Sequence, residues 1–403
     1  MLYDHDDLAF FLNDRDIRDL LFPEFAGDAS DERFEAFISS QTTKSLSKLL
    51  NDRLAGKRPV SHWYDAPVYG LSDSGKKLLK TLREQARVNN RSVEHKHLNY
   101  LEQLSRMYLK VPDTLKKGAN PRSMYRHLTS FCEAHDIPEE IVSSIVPTLV
   151  EYTQTGHMRP VIFHGQKGCG KTTAVKMLVE EALNIPTVVI KIPQTDGSHG
   201  LTGDTATYVG ADVGRIAKAR LDTNSLLVAY IFDEIDKVTH ERNRASVDDE
   251  LLSITDESNS AIIDNYLETS IQGLEYCPMF FTANDMDKVS PILADRCTVI
   301  SFPDPTPARI KSISRKFVAE KRKLQLYESV RFNYELMDDC IDRLVSRNIT
   351  SLRRHQQVIE MVFQDALNVS MMQETDAPVN VTKGMFDRAE ESIAGTAKRT
   401  VGF

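Results

Sequence analysis

Five cysteines in 403 residues, at positions 132, 169, 277, 297 and 340, are too few and too scattered for a disulfide framework. They are odd in number and fall in no metal-binding spacing, so they read as reduced thiols of an intracellular, cytoplasmic protein. No run of 18 apolar residues occurs, which argues against a membrane span or a membrane partner. The first residues, Met1-Leu2-Tyr3-Asp4-His5-Asp6-Asp7, are acidic and lack the charged-then-apolar pattern of a secretory leader. Positive charge is in short supply too: 50 Lys and Arg stand against 58 Asp and Glu, a net charge of −8. That balance disfavours a protein built to coat nucleic acid. There is one tryptophan, Trp63, and no internal repeat or low-complexity tract. What remains is 41% hydrophobic and 27% charged, the make-up of a globular chain with room for two or three domains.

One stretch organises the rest. Val161-Ile162-Phe163 reads as a buried strand, and Gly165-Gln166-Lys167-Gly168-Cys169-Gly170-Lys171-Thr172-Thr173 follows at once. Ala174 to Val179 then reads as a helix. Strand, glycine loop and helix are the context of a phosphate-binding loop. The glycines let the backbone curl so that successive N–H groups face phosphate oxygens, and the helix N-terminus adds its positive dipole end. Residues 165–173 are therefore expected to bind ATP, with Lys171 on the β- and γ-phosphates and the Thr172 hydroxyl on Mg²⁺. Cys169 is expected to be a small tolerated loop residue, the alternative being an oxidation-sensitive thiol.

The apolar run Leu226–Phe232 ends in Asp233-Glu234. Such a strand puts both acids at the carboxyl edge of the sheet, where open α/β folds bind ligands. Asp233 is expected to hold Mg²⁺ and Glu234 to act as general base on the attacking water. Phe281-Thr282-Ala283-Asn284 ends another strand, and Asn284 is placed to orient that water. Arg296 follows in Asp295-Arg296, placed to stabilise transition-state charge on a neighbouring subunit's nucleotide. Arg353, in Ser351-Leu352-Arg353-Arg354, is a candidate to touch phosphate from the C-terminal helices, with Arg354 one position off.

Around this core the texture is helical. Residues 1–56 carry helical stripes, and 57–70 form a loop with proline and aromatic residues. Helices return over 74–110, Pro112–Pro121 reads as a linker, and two helices fill 122–156. Thr187–Ile192, Met279–Thr282 and Thr298–Phe302 read as further strands, so that strands and helices alternate from 157 to about 303. Beyond Pro303 strands disappear: 307–372 reads as helices, followed by a short strand at Val379-Asn380-Val381 and a last helix from Lys383. The expected domains are 1–120, helical and binding substrate or partner; 121–156, a helical connector; 157–303, the α/β ATPase core; and 304–403, a helical lid and tail. From Lys76 to Arg126, thirteen Lys and Arg face four Asp and Glu. Without an aromatic or groove-reading pattern in the sequence, this basic stretch reads first as a solvated helix face, with nucleic acid as the alternative.

These motifs resemble the AAA+ ATPases, and residues 157–372 are similar to the ATPase module of Lon-type proteases. The resemblance rests on Phe232-Asp233-Glu234-Ile235-Asp236-Lys237, on Thr207-Tyr208-Val209-Gly210-Ala211-Asp212-Val213-Gly214-Arg215-Ile216, on the run from Leu251-Leu252 through Asp264–Glu268 to Asn284, and on the lid helix entered at Arg353. It implies an α/β fold: an AAA+ P-loop NTPase core with a parallel sheet and helices on both faces, an all-α lid and a mainly α-helical N-terminal domain. It makes Asn284 the sensor-1 residue, Arg296 the arginine finger and Arg353 the sensor-2 arginine. Tyr208 and Val209 become pore-loop residues that grip a polypeptide. Ser351 stands where the resemblance expects a glycine. The residues after the lid are too few for the protease domain of that group, so its proteolysis is not expected to carry over.

The leading expectation is a ring-forming ATPase, a homo-hexamer or similar, that couples Mg-ATP hydrolysis to remodelling or threading a protein substrate. A separate protease is a conceivable partner. Two other classes stay open: a nucleic-acid motor or loader using the basic 76–126 region on DNA, and a scaffold in which nucleotide binding only drives assembly.

Overall fold

The computed structural model describes residues 68–88, 95–117, 120–192, 200–205, 210–237, 247–256, 261–372 and 377–399. The helices expected within 1–56 and the loop around Trp63 lie outside these residues.

The centre is a five-stranded parallel sheet. Its strands are β1 (Val161–His164), β2 (Thr187–Lys191), β3 (Ala229–Asp233), β6 (Met279–Ala283) and β7 (Thr298–Ser301), in the spatial order β2-β3-β6-β1-β7. Parallel strands covered on both faces read as unbroken apolar runs, and the burial agrees. Val161, Ile162 and Phe163 of β1 are fully buried, as are Tyr230, Ile231 and Phe232 of β3. Ring packing crosses the strands: Phe232 stacks on Phe281 at 5.1 Å between centroids. The register aligns Phe232 with Phe281 and Ile162 with Phe281, so the ends of β1, β3 and β6 lie side by side.

Preceding the sheet are α1 (Asp73–Val88), α2 (His95–Arg106), the short α3 (Asp113–Lys117), α4 (Pro121–Ala134) and α5 (Glu139–Thr155). The Asn120 side chain caps α4 through Arg122 N and Ser123 N, with Pro121 in the first turn. Gly156, at φ 75°, ends α5. After β1 comes α6 (Lys171–Lys176), continued by a wider π turn over Met177–Ala182; α7 (Arg215–Thr223), α8 (Val247–Ile254) and α9 (Pro291–Arg296) complete the core.

Two features differ from the sequence reading. A hairpin of β4 (Ala261–Asp264) and β5 (Thr269–Gln272) stands between α8 and β6 where no strand was expected. Fully buried Arg220 of α7 donates to Gln272 O at 2.5 Å and ties that hairpin to the core. The C-terminal part is helical, with α10 (Pro307–Arg322), α11 (Tyr334–Ser346), α12 (Leu352–Met372) and α13 (Lys383–Arg399), and the short strand expected at 379–381 is there, but it has an unexpected partner at 330–331. Val330–Arg331 (β8) pairs in parallel with Val379–Asn380 (β9). These strands are two residues long, and Val330, Val379 and Val381 share one buried cluster with Phe363 and Phe386 of the surrounding helices.

Candidate nucleotide site

β1 releases the chain at its carboxyl end into the glycine loop. Gly165 N donates back to Ala283 O at 3.2 Å, which fastens the start of the loop to the end of β6. Gly168 lies at φ +82° in the left-handed region, and a Cβ there would sit 2.2 Å from Ser351 Oγ. Both the conformation and the space demand glycine. Gly168→Ala should weaken nucleotide binding by about tenfold, the 1–2 kcal/mol strain of a left-handed alanine, in a titration with a fluorescent ATP analogue.

Lys171, the first residue of α6, is only 7% exposed. Its ammonium donates to Gly165 O at 2.6 Å, to Gln166 O at 3.0 Å and to Asn284 Oδ1 at 3.1 Å. Burial pulls its pKa below the ordinary lysine value, with nearby Asp236 and Asp233 opposing. The Thr172 hydroxyl donates to Asp233 Oδ1 at 2.8 Å, and Thr282 donates to the same oxygen at 2.6 Å. Glu234 N donates to Thr282 Oγ1 at 3.1 Å. Glu234 itself lies at φ +63°, a strained backbone for a non-glycine residue, and its carboxylate pairs with Lys237 at 2.6 Å.

Thus the structure gathers Gly165, Lys171, Thr172, Asp233, Glu234 and Asn284 at one edge of the sheet. The donor set suits Mg-ATP: hydroxyl and carboxylate oxygens are what Mg²⁺ prefers, and the buried ammonium is satisfied by carbonyls and an amide, with no carboxylate bonded to it among the described residues. Burial pushes the Cys169 thiol up from its usual value, and at 1% exposure it is a packed loop residue.

The other two arginines lie differently. Arg353 is exposed at the start of α12, and its neighbour Leu352 donates through its N–H to Gly168 O at 2.9 Å. Arg296, at the end of α9, donates to Leu252 O and pairs with Asp256 at 3.5 Å, so it is held against α8. Arg159 donates through Nε to the Arg296 carbonyl at 3.0 Å, holding the end of α9 from the other side. Tyr208 and Val209 lie outside the described residues.

The stems on either side of Tyr208 are described. Gly203 and Gly214 approach so closely that a Cβ on Gly214 would meet Leu201 O at 2.2 Å. Asp264 accepts from Gly214 N at 2.8 Å, and Asn265 N donates to Thr202 O at 2.8 Å. Thr202 Oγ1 donates to Glu250 of α8 at 2.5 Å. Desolvation raises Glu250 to about 7 and Asp264 to about 6, with Asp212 adding to the latter. These carboxyls therefore hold protons more tightly folded than unfolded. Their contribution to stability is fullest below the ordinary carboxylate range and is lost as pH rises through their folded values. Glu250→Gln should flatten the fall in melting temperature between about pH 4.5 and 7 relative to the unaltered chain, followed by calorimetry.

Four residues hold places at the site that the sequence reading did not assign them. Thr282 links the Asp233 carboxylate at the end of β3 to the Glu234 main-chain N–H just beyond it, yet it is legible only once β3 and β6 are known to be neighbours. Lys237 was three residues from Glu234 and open to an i,i+3 argument. Ser351 packs on Gly168. Arg309, in the first turn of α10, donates to Cys169 O at 3.2 Å and to Asp136 O at 2.7 Å. With Ser312 and Lys316 on the Asp136 carboxylate, it locks the lid to the turn between α4 and α5.

Residues 161–304 match the family described as "ATPase family associated with various cellular activities (AAA)". The Lon protease of Helicobacter pylori (strain J99 / ATCC 700824) is 27% identical over 185 residues, 46% of this chain and 22% of that protein. The Lon protease of Campylobacter concisus (strain 13826) is 25% identical over 322 residues, 77% of this chain and 39% of that one. The mitochondrial Lon protease homolog of Yarrowia lipolytica is 27% identical over 236 residues, 57% of this chain and 19% of the homolog. The first of these relatives is thus spanned over about a fifth of its length. Sheet order, glycine loop and alignments agree: the core at 161–304 is an AAA+ P-loop fold, similar to the ATPase module of Lon-type proteases.

Proposed function

We propose that this chain hydrolyses ATP in a ring of its own copies and uses the energy to remodel or thread a protein substrate. The observation that carries the ATPase part is the hydrogen-bonded chain Thr172–Asp233–Thr282–Glu234 beside Lys171–Asn284, which joins both halves of a hydrolysis site. Bound Mg-ATP supplies the phosphoanhydride bond, with the metal offsetting phosphate charge. Residues 165–173 cradle the phosphates, Lys171 exchanges its carbonyl partners for phosphate oxygens, and Thr172 and Asp233 hold the metal. Asn284 orients the water and Glu234 takes its proton, once Lys237 yields the carboxylate. Arg296 reaches the neighbouring copy's nucleotide, and Arg353 or Arg354 answers from the lid.

The remodelling part is supported by the Tyr208 stems, which Asp264, Asn265 and Glu250 clamp to the hairpin and to α8. The helix α8 also holds Arg296, so the finger and the loop share one mechanical support. The proteolysis in the relatives' names is not part of this proposal.

The test is ATP turnover with and without an unfolded protein such as reduced casein. Turnover that needs Lys171 and rises with casein supports the whole reading, and Tyr208→Ala should remove the rise while keeping basal turnover. Turnover no higher than that of Lys171→Ala leaves an assembly scaffold instead.

A further inference from the structure

Away from the nucleotide, the chain segments 68–71 and 107–111 run antiparallel beside the hairpin. Tyr69 and Tyr108 are bridge partners, and Leu71 bridges Ile271 of β5. Gly70 N donates to Met107 O at 3.0 Å and Leu109 N to Val68 O at 2.8 Å. These bonds flank the tyrosine pair, which makes it the closely spaced, non-hydrogen-bonded kind of cross-strand pair. Met107, Leu109 and Val111 are buried at 5%, 6% and 4% exposure, and the alternation leaves Tyr108 and Lys110 outside. Tyr69 is 43% and Tyr108 58% exposed, high values for paired aromatics.

Charge gathers around them. Lys76 Nζ lies 5.3 Å from the centroid of the Tyr69 ring. Exposed Lys80 follows one turn later on the same side of α1. Over Lys76–Arg126 the surplus is nine positive charges, thirteen less four, in a chain whose net charge is −8; the remainder therefore carries −17. Some of the surplus is neutralised by neighbours, Arg83 by Glu102 and Lys96 by Asp212, both at 2.9 Å, but neither pair involves Lys76, Lys80 or Lys110. Among the described residues Lys76 pairs with Asp73, at 3.5 Å and highly exposed, and such a pair is weak.

We propose that Tyr69 and Tyr108, with Lys76, Lys80 and Lys110, form a binding face for single-stranded nucleic acid, bases lying on the tyrosine rings and phosphates on the ammonium groups. The charge selects an anionic partner. The two exposed rings select one with flat, unstacked faces, which a duplex keeps hidden and a single strand offers. This face is separate from the nucleotide site and stands or falls independently of ATP turnover.

Fluorescence anisotropy on the full chain tests it, using a labelled DNA oligomer of about 20 nucleotides, the RNA of the same sequence and the matched duplex. Either single strand should bind more tightly than the duplex. Tyr69→Ala and Tyr108→Ala should each weaken binding about tenfold, and Tyr69→Phe and Tyr108→Phe should keep it, which separates stacking from a folding defect. Lys76→Glu with Lys80→Glu should reduce the steepness of the salt dependence. The proposal is overturned if no oligomer binds at about 50 mM salt, if duplex binds as tightly as single strand, or if the alanine variants bind unchanged.

Discussion

Replacing Glu234 by glutamine should lower ATP turnover by about 10²–10⁴-fold, the usual contribution of a positioned general base, while nucleotide affinity stays within a few-fold. The separation follows from where the atoms lie. The proposed phosphate and metal contacts come from Lys171, Thr172 and Asp233, whose hydrogen bonds do not involve the Glu234 side chain. Only the Glu234 main-chain N–H is tied into that network, through Thr282, and glutamine keeps it. The substitution also keeps the shape of the side chain at φ +63°, so the strained turn at the end of β3 is preserved. The carboxylate does lose its pairing with Lys237. That exposed pair contributes little to stability, and a melting temperature within a few degrees of the unaltered chain would show it. Single-turnover measurement with radiolabelled ATP is the deciding readout. Turnover within threefold of the unaltered chain would remove Glu234 from the role of base. A companion variant, Lys237→Ala, frees the carboxylate without deleting it. Under this reading it keeps most turnover, because Lys237 holds the base without taking part in the proton transfer.

How much could be read in advance depended on distance along the chain. The glycine loop, its strand and the start of α6 are contiguous, so local spacing carried them. Strands β1, β3 and β6 announced themselves because a parallel strand covered on both faces is an uninterrupted apolar run. Asp233 and Glu234 were legible for the same reason, as polar residues at the end of such a run. The hairpin was not. Ala261–Asp264 and Thr269–Gln272 are four residues each, half polar, and their stabilising partners are Arg220 of α7 and the segment ending at Leu71. Thr282 looked like one more residue of a buried strand, and its hydroxyl acquires two partners only because β6 lies between β3 and β1. The aromatic character of the basic region was missed in the same way. Tyr69 and Tyr108 are 39 positions apart, and their antiparallel pairing joins Tyr108 to the ring that Lys76 covers. Ser351 shows the converse: it departs from the residue expected there, yet it packs directly on Gly168 and keeps the lid against the loop.

Arg296→Ala should cost about 10³-fold or more in turnover if its guanidinium completes the site of a neighbouring copy, as arginine fingers do. Within one copy Arg296 is held by Leu252 O and Asp256 of the α8 segment, and the residues around Lys171 are bonded among themselves. A role in its own site involves one copy alone, and a role across an interface requires a second copy. Mixing the two inactive variants distinguishes these cases. In a heterologous ring each site takes Glu234 from one copy and Arg296 from the next. When Glu234→Gln and Arg296→Ala chains exchange freely in equal amounts, about a quarter of interfaces hold an intact pair, and turnover should return to about that fraction. If Arg296 serves its own copy, every site lacks one group and the mixture stays inactive. The substitution also removes two contacts to α8, so loss of turnover alone would not separate catalysis from a loosened α8–α9 packing. Complementation does separate them, because a copy misfolded by Arg296→Ala could not lend a working Glu234 to the mixed ring.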